Sequence, residues 1–342
     1  MDTKGRPITI KDIARELDIS PSTVSRALKG YDTISEKTRK AVQELADKYD
    51  YQPNSIALSL RQQRSHTIGV IIPEIVHFFF STVISGIEDI AYKAGYNVII
   101  SQSNESVERE ISDTKALLRS RVDGLLISLS RETHNYDHLK ELHDRGVPMV
   151  FFDRICPEID TNRVVVDDRN GSKEGVQHLI DVGCRRIAHL MGPPDLMITK
   201  NRLEGYKDAL LNKGVSYDET LVVICDDGTV EQAIECTKAL LNLPQPPDAI
   251  FANNDVSAMG AVKAVYECGL SVPEDVAVLG FSDWQFASLV RPSLTSIHQP
   301  GFQIGQAAAR LFIEQIESND SFVEPKTEVL KTELVIREST NR

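Results

Sequence analysis

Residues Thr9–Gly30 read TIKDIARELDISPSTVSRALKG, and the rest of the chain is organised around them. Ile10, Ile13, Ala14 and Leu17 recur at the spacing of one apolar stripe on a helix. Thr9 stands at the N-cap with Asp12 three residues on, an acidic variant of the capping box. A second start follows at once, with Ser20 as N-cap and Pro21 at the first helical position. Val24, Ala27 and Leu28 form the inner face of that helix, and Gly30 ends it. Its outer face carries Ser22, Thr23, Ser25 and Arg26. Short hydroxyls bond phosphates, and a guanidinium can read guanine bidentately in the major groove. Two ordinary capped surface helices would show the same hydroxyl-rich face.

A third helix shifts that balance. Ser35 caps it, and Ala41, Val42, Leu45, Ala46 and Tyr49 line one side, supplying the small core that a helix-turn-helix needs. With SEKTRKAV and YQPNSIALSLR following, the stretch resembles the DNA-binding headpiece of the lactose-repressor (LacI/GalR) family, and the likeness runs on to ELVIREST near the C-terminus. The resemblance implies that Thr9, Ser20, Pro21, Ser22, Thr23, Ser25 and Arg26 lie at DNA.

The chain has 342 residues and a net charge of −12, an odd balance for a nucleic-acid binder until it is divided. Residues 1–65 hold 12 Lys and Arg against 9 Asp and Glu, net +3, and the remainder is net −15. Because the Debye length is about 8 Å at physiological salt, the local charge of the headpiece governs its encounter with DNA. No apolar run approaches the length of a membrane span and the N-terminus is polar, so the chain reads as cytoplasmic. Cys156, Cys184, Cys225, Cys236 and Cys268 are widely spaced and read as buried reduced thiols, with no disulfide framework, metal site or cofactor.

Tyr51–Pro73 contains no acidic residue. Within it NSIALSLR has helical composition but spans about two turns, too short to be stable alone in water. A plain linker fits this composition. The resemblance implies instead a hinge helix, with Asn54 and Ala57 at DNA and Leu60 as a minor-groove wedge.

From Thr67 short β-rich apolar runs (TIGVIIP, YNVIIS, DGLLIS, PMVFFD) alternate with helical stretches, the pattern of buried parallel strands in a doubly wound α/β sheet. A second set (RIAHLMG, LVVIC, DAIFAN, VAVLGF) predicts a second lobe. Gly95, Gly146, Gly183, Gly214 and Gly269 fall where helices end, as C′ glycines do. The resemblance implies a two-lobed body of the type 1 periplasmic-binding-protein kind whose chain crosses between lobes near 162, 290 and 322. The divisions expected are a headpiece at 1–50, a hinge at 51–65, a first lobe at 66–161 plus 291–322, and a second lobe at 162–290 plus 323–342. SLTSIHQP and the helix after it are assigned to the first lobe, the final strand to the second.

Ligands of open α/β sheets sit beyond the carboxyl ends of strands. Phe79 and Phe80 follow the first strand, Ser128 the third, Asp153 the fourth and Asp167 the run RVVV. Core packing is the commoner fate of such phenylalanines, a surface helix start that of Arg202, and N-capping that of Asn254 and Asp255. The resemblance implies that these residues, with Gln299, Ser282 and Asp283, meet an effector. In GFSD, Ser282 stands where relatives often have Asp, with Asp283 one step later. The aromatic expected before Val230 is replaced by CDDGT, so Trp284 is a candidate for stacking or for core.

These features predict a DNA-binding regulator, a repressor. It would act as a homodimer on a pseudo-palindromic operator and be controlled by a small molecule, a sugar or sugar derivative. The alternatives are a cytoplasmic solute-binding protein and a corepressor-dependent regulator responding to a nucleobase. An enzyme is disfavoured, since no nucleophile elbow, H-E-x-x-H or phosphate loop is present.

Overall fold

The computed structural model describes residues 8–51, 64–318 and 324–342. Asn54, Ala57 and Leu60 of the expected hinge lie outside the described residues. The chain divides into two compact units, Met1–Ser65 and His66–Arg342.

In the first unit α1 (Ile10–Glu16), α2 (Pro21–Leu28) and α3 (Glu36–Lys48) surround a core of Ile13, Ala14, Val24, Ala27, Val42, Leu45 and Ala46. The Thr9 N–H and hydroxyl both donate to Asp12, at 3.0 and 2.6 Å, so the expected capping box forms. Ser20 Oγ accepts from the Thr23 N–H at 3.1 Å, and Pro21 occupies the first helical position. Gly30 closes α2 with φ +73, a conformation that costs glycine nothing.

The second unit runs β1 (Thr67–Ile72), α4 (Phe78–Lys93), β2 (Asn97–Gln102), α5 (Val107–Arg119), β3 (Gly124–Ile127), α6 (Asp137–Asp144), β4 (Met149–Phe152) and β5 (Asn162–Val166). It continues with α7 (Asp168–Asp181), β6 (Ile187–Met191), α8 (Met197–Asn212), β7 (Val222–Ile224), α9 (Val230–Leu241), β8 (Ala249–Ala252), α10 (Asp255–Glu267) and β9 (Ala277–Ser282). β10 (Thr295–His298), α11 (Gly301–Glu317), β11 (Thr327–Leu330) and β12 (Glu333–Val335) complete it. The strands form two sheets, ordered β11-β5-β4-β3-β1-β2 and β12-β10-β9-β8-β6-β7. All pairings are parallel except β10 with β12.

Alternation along the buried strands feeds a core on each face of each sheet. Ile68, Val70 and Ile72 pack with α4 and α11, whereas Ile71 packs on the opposite side with Leu125 and Ile127. In the second sheet Ala188 and Leu190 face α9 and α10, and Ile187 faces α7 and α8. This is the doubly wound α/β body that the apolar runs predict. Among the described residues, no helix is long and apolar enough to cross a membrane.

The crossings between lobes fall later than 162, 290 and 322. Asn162–Val166 pairs with β4 in the first sheet, so the chain leaves that lobe only after Val166. Thr295–His298, in SLTSIHQP, pairs with β9 and belongs to the second lobe, and only α11 returns to the first. Thr327–Leu330 pairs with β5, and the last crossing precedes β12. At β5, β10 and β11 the polypeptide completes the strand in its sheet and changes lobe only at the strand's carboxyl end. Composition changes earlier than that, at the strand's beginning. Cys268 is also exposed rather than buried.

The two helices α4 and α11 touch through glycine. A Cβ on Gly305 would stand 2.0 Å from the Val83 carbonyl oxygen, and one on Gly86 2.0 Å from that of Phe302. Alanine ordinarily favours a helix over glycine by about 1 kcal/mol, but backbone on the opposite helix cannot yield as a side-chain tip does. We expect Gly305→Ala to destabilise the body by about 1–3 kcal/mol in chemical denaturation, the usual cost of overpacking. A raised midpoint would show that the helices separate freely.

Candidate nucleic-acid interface and ligand cleft

In the headpiece Pro21, Ser22 and Arg26 are exposed, Thr23 and Ser25 half-buried, and Val24 and Ala27 buried. α2 thus presents the face that the sequence assigns to DNA. Ser20 Oγ lies 2.7 Å from Ser22 Oγ and 2.9 Å from Thr23 Oγ1, one hydroxyl cluster at the helix start. The Arg26 guanidinium makes no bond among the described residues and is free to reach a base edge.

The body holds a cleft of about 250 Å³ at the carboxyl ends of both sheets. Phe79, Phe80, Asp153, Arg202, Asn254, Asp255, Ser282 and Gln299 line it; the first three follow strand ends, and the others are residues that the resemblance implies. Trp284 lines it too, from the second lobe, with its ring 5.9 Å from that of His77 on the first. Phe79 and Phe80 serve both expected ends, as core of the first lobe and as cleft wall.

Arg202 organises the floor. It is 3% exposed, and its Nε donates to Asp168 Oδ1 at 2.7 Å and its Nη1 to the Asn253 carbonyl at 2.6 Å. Its guanidinium lies 3.7 Å from the centre of the Phe281 ring. One side chain therefore ties α8 to the start of α7, the end of β8 and the end of β9. Burial pushes the Asp168 carboxyl up to about 6 despite the pull of Arg202. Asp153, at φ +59 between Arg154 and Arg202, is raised by burial in the same way.

Three expected residues stand elsewhere. Ser128 is fully buried and outside the cleft, because its strand ends inside the first lobe. Asp167 is exposed and caps α7, accepting from the Asn170 N–H at 3.1 Å, and it is the next residue, Asp168, that turns inward. Asp283 turns away to Arg337 Nη2 at 2.7 Å and His298 Nδ1 at 3.3 Å. Burial works to raise its carboxyl, but those two partners hold it below its ordinary value. Asp255 reaches the cleft, yet its oxygens accept from the Trp284 N–H and the Ser296 hydroxyl, both at 2.6 Å. Asn254 caps α10 through its carbonyl oxygen, which accepts from the Ser257 N–H at 2.8 Å.

Other cleft residues escape the sequence reading. Glu105 accepts from Arg154 Nη1 at 2.6 Å and from the Arg131 N–H at 2.8 Å. Burial raises its carboxyl, but Arg154 outweighs burial and leaves it below its ordinary value. Arg131 then crosses to the second lobe, its Nη1 donating to the Asp226 carbonyl at 2.8 Å. These residues stand two to four positions past the ends of their strands, beyond the single polar residue read at each end. Asn253, beside Asn254 and Asp255, has a buried side-chain amide oxygen without a partner among the described residues. Cys225, Asp226, Asp227, Gly228 and Thr229 fill the place where an aromatic residue is expected.

A helix-turn-helix unit joined to a two-lobed body with a polar cleft defines a ligand-responsive DNA-binding regulator. The model of the bacterial regulatory proteins, lacI family, matches residues 9–54, and that of the periplasmic binding protein-like domain matches residues 176–340. The chain is 34% identical to the ribose operon repressor of Halalkalibacterium halodurans, covering 97% of each chain. It is 34% identical to catabolite control protein A of Priestia megaterium, over 97% of this chain and 99% of that one. A lac repressor dimer bound to operator and the anti-inducer ONPF superposes with a TM-score of 0.86 at 27% identity, over 98% of this chain and 99% of the other. A transcriptional regulator CelR–cellobiose complex superposes at 0.73 with 32% identity, over 98% and 100%. The chain belongs to the lacI family of bacterial regulatory proteins, and it is a DNA-binding transcriptional regulator.

The buried aspartates give the body a pH signature. Burial pushes the Asp255 carboxyl up to about 7, with the Ser296 and Trp284 bonds opposing it. Unfolded, it titrates near about 4. A carboxyl that holds its proton more tightly when folded stabilises fully below its unfolded value, and this is lost as pH rises through the folded one. Asp255→Asn should therefore flatten the fall in melting temperature between pH 5 and pH 8 relative to the parent. Parallel curves would show that Asp255 ionises normally.

Proposed function

We propose that the chain is a cytoplasmic repressor that binds a pseudo-palindromic operator as a homodimer, released or retained by a neutral sugar-like effector held between the lobes. The observation that carries the effector reading is the charge state of the cleft. Arg202 is engaged by Asp168, Arg154 by Glu105, and Arg131 by a backbone carbonyl. An anionic ligand would have to break these pairs, whereas an uncharged polyhydroxylated one finds donors and acceptors already fixed. The similar ribose operon repressor and the cellobiose-bound regulator support a sugar, and the operator-bound lac repressor dimer supports the assembly.

Phe79, Phe80, Asp153, Arg202, Asn254, Ser282, Gln299 and Trp284 are the residues we assign to the effector. Ser20, Pro21, Ser22, Thr23, Ser25 and Arg26 are those we assign to DNA, with Thr9 shaping the first helix. Ligand draws the lobes together across the Arg131–Asp226 bond and the His77–Trp284 pair, and lobe position sets whether both headpieces of the dimer can seat. This is a binding function rather than an enzymatic one, since Glu105, Asp168 and Asp255 are each held by donors of the protein.

Operator selection from random duplexes, with and without sugars, tests the reading. On the selected site Arg26→Ala should cost about 1–3 kcal/mol and relax preference at one base pair per half-site. Equal losses on selected and random DNA would reduce Arg26 to a phosphate contact, and selection of no sequence would overturn the function.

A further inference from the structure

We infer that Cys225 and Cys236 are a redox pair that closes to a disulfide when the chain meets a hydroperoxide, and that closure moves the cleft loop between them. The chemical step stands on its own, and only its effect on DNA rests on the lobe movement proposed above. Cys225 follows β7 and lines the cleft, and Cys236 lies on α9. The chain doubles back between them. The Cys236 thiol donates to the Ile224 carbonyl at 3.8 Å, and the Cys225 thiol is hydrogen-bonded to that of Cys236. Both pack in the same core of the second lobe. Cys156 and Cys184 belong to other cores and Cys268 is exposed, so among the described residues this is the cysteine pair that the fold brings together.

Their surroundings set the order of events. Cys236 is partly exposed and Cys225 buried, so an oxidant from solvent reaches Cys236 first. Burial, and then the bond to Cys236, push the Cys225 thiol far above its ordinary value and keep it protonated and inert towards the oxidant. The Cys236 sulfur, as thiolate, attacks one peroxide oxygen. The O–O bond breaks, Cys236 becomes a sulfenic acid, and the departing oxygen takes a proton as water or alcohol. The Cys225 sulfur then attacks the sulfenic sulfur. The S–O bond breaks, the S–S bond forms, and the hydroxyl leaves as water with the Cys225 proton. Two thiols are oxidised for each hydroperoxide reduced. An S–S bond of about 2 Å is shorter than any contact between two thiols, so closure draws Cys225 from the cleft wall towards α9. The next residue carries the carbonyl that Arg131 holds from the first lobe. Gln232 of α9 already donates to Asp226 Oδ1 at 3.0 Å and accepts from the Asp227 N–H at 3.1 Å. Closure therefore pulls on a bond that spans the lobes.

The test treats the reduced full chain with hydrogen peroxide, traps remaining thiols with an alkylating reagent and maps the peptides. A Cys225–Cys236 crosslink should be the main product and should reopen with dithiothreitol, while Cys156 and Cys184 stay reduced. Affinity for the operator selected from random duplexes is then compared before and after oxidation. It should shift by about fivefold or more, the usual scale of coupling between sites, and return on reduction. Cys236→Ser should abolish both the crosslink and the shift, and Cys268→Ser should leave both in place. Mapping of the parent chain decides the chemistry even where a variant folds poorly. If Cys236 runs on to sulfinic acid without a crosslink, or stays reduced while Cys268 oxidises, the pair is overturned and the lobe-movement reading stands. A shift that persists in Cys236→Ser would overturn the pair as its cause. A complete crosslink with unchanged operator affinity would overturn the link from the loop to the lobes and leave the disulfide chemistry standing.

Discussion

The second lobe depends on one buried cation. Arg202 is almost fully enclosed, and three elements of that lobe meet on it: the first residue of α7, the carbonyl after β8 and the ring that precedes the end of β9. Burying a guanidinium costs several kcal/mol unless its donors are matched. Here two of its nitrogens and the face of its guanidinium all find partners, so three elements converge on one point. The result is a cleft floor with fixed geometry, which is what a ligand-reading site requires.

The first lobe solves the matching problem from the other side. Glu105 stands in left-handed backbone at φ +60 and gathers Arg154 and the Arg131 backbone around one carboxylate. Arg131 is thereby aimed across the gap at the Asp226 carbonyl. Behind both arrays lie cores that alternate through each sheet, and the first lobe is closed further by the glycine contact between α4 and α11. Rigid lobes and a few polar bridges between them allow a small ligand to shift their relative position, because the packed interiors do not deform to absorb the change.

Much of this was legible in the sequence. The helix-turn-helix followed from caps and periodicity, and the two α/β lobes from apolar runs of strand length separated by helical stretches. The cleft was located by the rule that ligands sit beyond strand ends. What escaped was direction. Asp167 and Asp168 are adjacent, yet one caps a helix in solvent and the other is buried against Arg202, a difference set by the turn between them. Ser282 and Asp283 divide likewise, with φ values of +113 and +53 sending Asp283 toward Arg337. The lobe crossings are not legible in composition, because a strand's partner sheet is decided by hydrogen bonding to distant chain, as β11 shows by pairing with β5 across more than a hundred residues.

Arg202 first holds Asp168, and through that bond fixes the cleft floor that the ligand meets. The direct measurement is the stability of Arg202→Met, Asp168→Asn and the double variant by denaturant unfolding at pH 8 and pH 5. Removing the arginine alone leaves a buried carboxylate unpaired, which costs about 3–5 kcal/mol. That penalty should be largest at pH 8, shrink at pH 5 as Asp168 takes up a proton, and be mostly relieved in the double variant. A loss that is the same at both pH values, and additive with that of Asp168→Asn, would contradict this and show that the Arg202–Asp168 pair is not coupled in stability.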